Sequence, residues 1–301
     1  MNKRYVLVTA AKNEGENLLK LVQAVAEQTI KPVLWVIADD GSTDNTPEII
    51  NEAMRKYKWI QSIRLNSKNN VRDIGIHLSW VMMEVTKFAT EYCKARRIDY
   101  EYIGNVDGDI TIERAFFEKL MKEFEKDPKL GIAGSGTQYI KGDEIIQPEG
   151  NEEEPSGGDM LIRRECFEDC KDVIYSAPSW DSVLKAKARL RGWKTRRFEY
   201  VKAIETRDPI ITFEGYWKGY IQHGEGSYMI NLNPIHVLIK TVRYLCKKPY
   251  YIGIAYLLGY LKGAIRGKKI EDEEIRKYFW NKWKKYLYGE QTRNPKPRSS
   301  K

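Results

Sequence analysis

The chain has little with which to build a soft-metal site or a covalent framework. Among its 301 residues there are three histidines and four cysteines, Cys93, Cys166, Cys170 and Cys246. No two cysteines form a Cys-x-x-Cys pair. Cys166 and Cys170, four apart, share one face of a helix without a histidine pair beside them, so they read as buried thiols rather than metal ligands. The opening "MNKRYVLVTAAKNEG" has too short an apolar stretch for a secretory signal and no cleavage pattern, so the expected setting is the reducing cytoplasm. No Gly-x-Gly-x-x-Gly follows the first apolar run, and Gly-Lys-Ser/Thr occurs nowhere. These absences exclude the dinucleotide-binding and P-loop readings. The apolar stretch "PYYIGIAYLLGYL" is thirteen residues long, short of the about 20 needed to span a bilayer. There is no internal repeat.

What is present is enough apolar content for a core, 42%, under a heavily charged surface, 31%, with a formal net charge of +9. A basic balance suits acidic partners such as nucleic acid, anionic lipid or a phosphorylated substrate, although it also describes an ordinary solvated surface. No nucleic-acid motif accompanies it, and none is expected as a partner. "RYVLVTAA" (4–11), "VLWVIA" (33–38), "IQSIRL" (60–65) and "YEYIGNV" (100–106) read as buried strands. Helices are expected between them and after them: one opened by an Asn13–Glu16 capping box, one with Thr46 as N-cap and Pro47 at the first position, one over 72–97 and one over 113–126. Alternation of strand and helix predicts an α/β fold, a mostly parallel sheet with helices on both faces.

In such a sheet, ligands bind beyond the carboxyl ends of the strands. "VIADDGSTDN" (36–45) puts Asp39 and Asp40 at the end of the second strand, and "NVDGDIT" puts Asp107 and Asp109 at the end of the fourth. Thr9 to Asn13 end the first, so all three loops open on one edge. Carboxylates gathered there need cations or hydrogen-bond donors to offset them. Hard oxygen ligands without His or Cys point to Mg2+ or Mn2+, ions that usually arrive with substrate phosphates. A lone Asp-x-Asp is more often a solvated turn, and Asp, Gly and Ser are ordinary turn formers. The order of the loops is what raises the reading above that.

In that order the chain resembles the family 2 glycosyltransferases, whose fold is GT-A, a Rossmann-like mixed sheet flanked by helices. "TAAKNEGENL" is similar to the family's opening Asn-Glu motif, "VIADDGSTDNT" to its second motif, and "NNVRDIGIHLS" to its Ala-Arg-Asn-x-Gly segment, with Val71, Arg72, Asp73 and Gly75 in place. "NVDGDI" matches its Asp-x-Asp. "SGGDMLIRRECF" (156–167) resembles the acceptor-side strand and turn. "SWDSVLKAKARLRGWKTRRF" (179–198) resembles the Glu-Asp region, with Trp180 where glutamate is common and Asp181 retained. The likeness extends over about residues 4–230.

The resemblance implies a nucleotide-sugar donor, usually a UDP-sugar, and inversion at the anomeric carbon. It assigns Thr9, Ala11, Asn13, Glu14, Asp39, Asp40, Arg72, Asp107 and Gly108 to donor binding, with Asp39 accepting from a uracil N–H and Arg72 reaching the phosphates. Asp109 would hold Mn2+ or Mg2+, helped by Asp107, with Glu205 or His223 as a further candidate. Asp181 would be the catalytic base. Its competing role is that of a first-turn carboxylate stabilised by the helix dipole. Gly158, Asp159 and Trp180 would face the acceptor, a glycan or a polyprenyl-linked saccharide. One departure is "AIETRDP", where Glu205 and Arg207 stand in place of a common histidine. "YIQHGEGSY" reads as a loop over the donor, with Gly224 and Gly226 giving it freedom. His77 and His236 read as structural.

The expected organisation is a catalytic domain over 1–230, an amphipathic helical extension over 231–290, and a disordered basic tail over 291–301. The extension suits either the cytoplasmic face of an anionic membrane or packing against the domain or a second copy in a homodimer. Two rivals stay open at this point. One is a sugar-phosphate nucleotidyltransferase, which lacks its Gly-rich loop in "TAAKNEG". The other is a non-enzymatic protein that binds membrane or polyanion through the basic tail.

Overall fold

The computed structural model describes residues 4–65, 76–141, 143–148, 150–171, 178–206 and 215–288. Strands β1 (Tyr5–Ala11), β2 (Leu34–Asp39), β3 (Ile60–Arg64) and β4 (Tyr102–Val106) alternate with helices α1 (Gly15–Ala26), α2 (Thr46–Lys56) and α3 (Ile76–Arg96). Then follow β5 (Ile110–Ile112), α4 (Phe116–Lys126), β6 (Leu130–Gly134), β7 (Gln138–Lys141), β8 (Glu144–Ile146), β9 (Asp159–Arg163), α5 (Arg164–Cys170), α6 (Trp180–Leu190), β10 (Lys194–Arg197) and β11 (Ala203–Glu205). Four helices close the described chain: α7 (Gly215–Met229), α8 (Pro234–Leu245), α9 (Ile252–Arg266) and α10 (Glu273–Tyr288).

The main sheet runs β10-β6-β9-β4-β1-β2-β3. Neighbours among β1, β2, β3 and β4 pair in parallel, while β9 is antiparallel to both β4 and β6. Successive strand residues point to opposite faces. Tyr5, Leu7, Trp35 and Ile37 therefore pack with α1, α2 and α4, whereas Val6, Val8, Val36 and Ala38 pack with α3 and α6. Both faces are buried, which is why these strands read as unbroken apolar runs. A smaller sheet, β5-β11-β7-β8, stands beside the first and pairs Glu205 with Ile110.

Two expected helix caps are corrected. Asn13 adopts a left-handed backbone, φ 53°, so its side chain turns from α1 and accepts a hydrogen bond from Thr43 N at 2.8 Å. Thr46 is the first residue of α2 rather than its cap, and Asp44 Oδ1 accepts from both its backbone N (3.0 Å) and its hydroxyl (2.6 Å). Cys166 and Cys170 are buried as expected.

The glycine-bearing stretch 221–228, expected as a loop, lies inside α7. Its glycines serve close packing. A Cβ at Gly224 would come within 2.1 Å of Tyr256 O, and one at Gly259 within 2.1 Å of Ile221 O. The apolar stretch 249–261 thus buries one face of α9 against α7. Its other face leaves Ile254, Leu258, Leu261 and Ile265 exposed, and α8 exposes Ile235, Leu238, Val242 and Leu245. No described helix is long and apolar enough to cross a membrane. The approach of α7 to α9 has a direct test. Gly224→Ala should lower the unfolding free energy by about 1–3 kcal/mol through overpacking. Gly226→Ala, where a Cβ would meet only Pro178 at 3.6 Å, should cost less. Urea denaturation of both variants reads the difference.

Candidate active site

A cleft of about 460 Å3 opens at the carboxyl ends of β1, β2 and β4. Ala10, Ala11, Lys12 and Glu14 line it from the first loop, Asp40 from the second, and Asp107, Gly108 and Asp109 from the third. The opening helical turns of α3 supply His77, Leu78 and Val81. The paired carboxylates of β2 are offset separately. Asp39 accepts from Ser42 N at 2.8 Å and pairs with Arg64 Nη1 at 2.8 Å. Asp40 has Lys12 Nζ at 3.4 Å and His77 Nε2 at 2.8 Å, and Lys12 also donates to the Asp40 carbonyl at 2.8 Å. His77 is therefore a site residue, not a structural one, and Lys12 was not singled out by the sequence. The available signals were a lysine inside the Asn-Glu loop and a histidine in the first turn of the helix facing the strand ends.

The rest of "DDGSTDNT" joins the first loop to the second. Asp44 Oδ2 accepts from Gly15 N at 3.1 Å, Thr46 Oγ1 accepts from Glu14 N at 2.9 Å, and Ser42 Oγ accepts from Asn13 N at 3.0 Å. Partial burial acts to raise the Asp44 carboxyl, but hydrogen bonds from Thr46 and Gly15 hold it below the ordinary value. Asn13 is thus part of the loop's own scaffold. Thr9 stands apart from the cleft: fully buried, its hydroxyl donates to Val106 O at 2.7 Å and accepts from Trp35 Nε1 at 3.0 Å.

The two later motifs meet through Gly157 and Gly158. Asp107 N donates to Gly158 O at 2.8 Å, and Asn105 Nδ2 donates to Gly157 O at 2.9 Å. A Cβ at Gly157 would lie 2.5 Å from Asp181 Oδ2, and one at Gly158 would lie 3.1 Å from Asp107 Oδ2. Two consecutive residues, with Cα atoms about 3.8 Å apart, therefore touch the Asp181 and Asp107 carboxylates, and only glycine leaves room for both. Asp181 sits in the first turn of α6, as expected, and accepts from Lys185 Nζ at 2.9 Å; Lys185 is buried and also donates to Pro155 O.

Asp107 and Asp109 offer hard oxygens at the cleft, and Glu205 is held alongside by the β11–β5 ladder and the Thr206 N to Asp109 O bond of 3.0 Å. Among the described residues no three His, Cys, Asp or Glu side chains form a ready-made metal cage. That donor set fits Mg2+ or Mn2+, which commonly use one or two carboxylates and complete their shell with water and phosphate oxygens. His223 lies elsewhere, on α7 among Tyr220, Tyr244 and Tyr256, with Lys240 Nζ 3.0 Å from its Nε2. Burial and Lys240 press its pKa well below the ordinary value. Val71, Arg72, Asp73, Gly75 and Arg207 lie outside the described residues.

Two residues expected to face the acceptor are interior. Trp180 packs in the sheet core with Val81, Met82 and Leu184. Asp159 is fully buried, where it accepts from the hydroxyls of Ser135 and, at 2.9 Å, Thr137. Gly158, the third residue of that expectation, borders the Asp107 carboxylate. Burial pushes the Asp159 carboxyl up to about 7, although the Ser135 and Thr137 bonds oppose it. The folded state then holds a proton that the unfolded chain releases near pH 4. The resulting stability is full below about pH 4 and falls as pH rises towards 7, by up to about 4 kcal/mol. Asp159→Asn should flatten that part of the stability–pH curve, measured by urea unfolding from pH 4 to 8.

Residues 6–77 match the family model described as glycosyl transferase family 2. A poly-beta-1,6-N-acetyl-D-glucosamine synthase of Staphylococcus epidermidis is 24% identical over 259 residues, covering 77% of this chain and 56% of that protein. The chain thus spans little more than half the length of that curated relative. An uncharacterized protein of Methanocaldococcus jannaschii is 31% identical over 120 residues, 40% of this chain and 46% of its own. Among solved structures, a mannosyltransferase of Pyrobaculum calidifontis in complex with GDP-Man and Mn2+ superposes with a TM-score of 0.59 at 13% identity, covering 89% of each chain. The match to the glycosyl transferase family 2 model thus covers the first two loops, and the architecture around them is the GT-A fold shared with that mannosyltransferase.

Proposed function

We propose that this protein is an inverting, metal-dependent glycosyltransferase, moving a sugar from a nucleotide-sugar donor to a hydroxyl of a glycan or lipid-linked saccharide. The chief support is the approach of Asp181 to the Asp107 carboxylate across Gly157 and Gly158, because that joins a base to a donor cleft. The acceptor O–H attacks the anomeric carbon and loses its proton to the Asp181 carboxylate. A new C–O bond forms as the bond from that carbon to the diphosphate breaks, and the electron pair leaves with the diphosphate. One carboxylate base suits direct displacement with inversion. Lys185 orients Asp181, and Lys12 lies at the cleft where a diphosphate would gather charge. Asp109, with Asp107, would hold Mg2+ or Mn2+, whose contribution when bound is charge stabilisation on the diphosphate.

A UDP-sugar is the default donor. Asp39, assigned by resemblance to the base, has both carboxylate oxygens engaged by Ser42 and Arg64. GDP therefore belongs beside UDP in the test, as does Mn2+. Calorimetry should find metal-dependent binding of one nucleoside diphosphate among UDP, GDP and dTDP, lost in Asp109→Ala. Asp181→Asn should keep that binding and lower turnover by about 10² to 10⁴. A folded protein that binds none of the three would overturn the donor site.

A peripheral membrane contact forms the second part of the reading. Residues 234–269 contain eight Lys and Arg and no Asp or Glu, and α8 and α9 expose apolar faces in the same stretch. Basic charge around apolar helix faces complements an anionic lipid surface. The protein should sediment with vesicles containing phosphatidylglycerol and not with phosphatidylcholine alone. Binding to neither, with a concentration-dependent dimer in solution, would give these faces to a second copy.

A further inference from the structure

A second cavity, partly open to solvent, lies between α7, α8, α10 and the start of α6. Its walls are basic. Lys240 and Arg243 come from α8, Lys247 follows just after that helix ends, and Lys282 comes from α10. His223 of α7 and His236 and Tyr244 of α8 complete the titratable lining, and among the described residues no Asp or Glu lines it. Lys282 has an acidic partner outside the lining, Glu154 at 3.0 Å. The Lys240 ammonium instead meets His223 Nε2 at 3.0 Å and the ring faces of Tyr256 and Tyr244, at 5.1 and 5.9 Å. Those neighbours carry no negative charge. Burial and the field of Lys282 draw the Lys240 pKa down to about 7. Arg243 and Lys247 stand at the exposed rim, whereas Lys240 is held inside, and a buried cation is costly until an anion joins it.

The cavity reaches the first turn of α6, the turn that carries Asp181. Ser179 and Ser182 line it, and Asp181 lies between them in the chain. We infer that this cavity is an acceptor subsite for a phosphate group, held by Lys240, Arg243 and Lys247, which leaves the hydroxyl end of the same acceptor at Asp181. This rests on the reading of Asp181 as the base. A phosphate monoester or diphosphate could belong to a lipid-linked acceptor or to a soluble phosphorylated one. The exposed Ile235, Leu238, Val242 and Leu245 on the other side of α8 lie where a lipid-linked acceptor would meet a membrane.

The test is calorimetric, on the full chain in EDTA, with inorganic phosphate, decyl phosphate below its micelle concentration, and uncharged decyl maltoside as control. UDP with Mn2+ is titrated in parallel. Wild type should bind decyl phosphate saturably and decyl maltoside not at all. Lys240→Gln should weaken that binding at least tenfold, and Lys247→Gln at least threefold, with UDP affinity kept within twofold. Inorganic phosphate binding as tightly as decyl phosphate would assign the site to a soluble acceptor, and a strong preference for decyl phosphate to a lipid-linked one. If Lys240→Gln fails to fold, Lys247→Gln decides. Absence of phosphate binding, or equal affinity in wild type and the folded variants, would overturn the subsite. Failure to bind UDP alongside Lys-dependent phosphate binding would sink the donor reading and leave the anion site standing.

Discussion

Carboxylates crowded at one sheet edge are the constraint that the surrounding structure answers. Asp39, Asp40, Asp107, Asp109 and Asp181 come from three separate parts of the chain, yet all end near the mouths of β2 and β4 or the glycines beside them. Each needs an offset. Arg64 serves Asp39, Lys12 and His77 serve Asp40, and Lys185 serves Asp181. The backbone answers as well, through Ser42 N on Asp39 and Gly15 N on Asp44. The cleft is therefore already organised by fixed donors before any substrate reaches it, which is the condition under which electrostatic stabilisation is effective.

The Asp39–Thr46 segment has two duties. Asp40 belongs to the cleft wall, while Ser42, Asp44 and Thr46 hold the Asn13–Gly15 loop against the start of α2. The loop's shape follows from that lacing rather than from the helix cap its sequence suggested. Strand ends in a parallel sheet are free of ladder partners beyond the last pair, so side-chain oxygens must satisfy the amide groups that emerge there.

Much of this was legible in the sequence. Strands buried on both faces show as continuous apolar runs, and the loops after β1, β2 and β4 carry the residues that line the cleft. Asp181 was found at its helix start. What remained hidden depended on three-dimensional approach. Trp180 and Asp159 stand next to Asp181 and Gly158 in the chain, but a strand or helix turns neighbours to different sides, and these two face inward. His77 gave no sign of its partner because Asp40 is distant in sequence. Gly224 read as freedom in a loop, whereas it and Gly259 each remove a side chain so that α7 and α9 can touch.

Helix α6 belongs to both halves of the molecule. Trp180, Leu184 and Ala188 enter the sheet core, and Val183 and Ala186 enter the cluster formed with Tyr256, Ile275 and Phe279. Lys187, nearly buried on the same helix, reaches Asp272 at 2.6 Å and Glu274 at 2.9 Å. Severing the chain at residue 230 would strip the apolar cover from Val183 and Ala186 and orphan a lysine built to be neutralised. The two segments that composition separates thus share α6, and Asp181 holds its station on a helix that both of them bury.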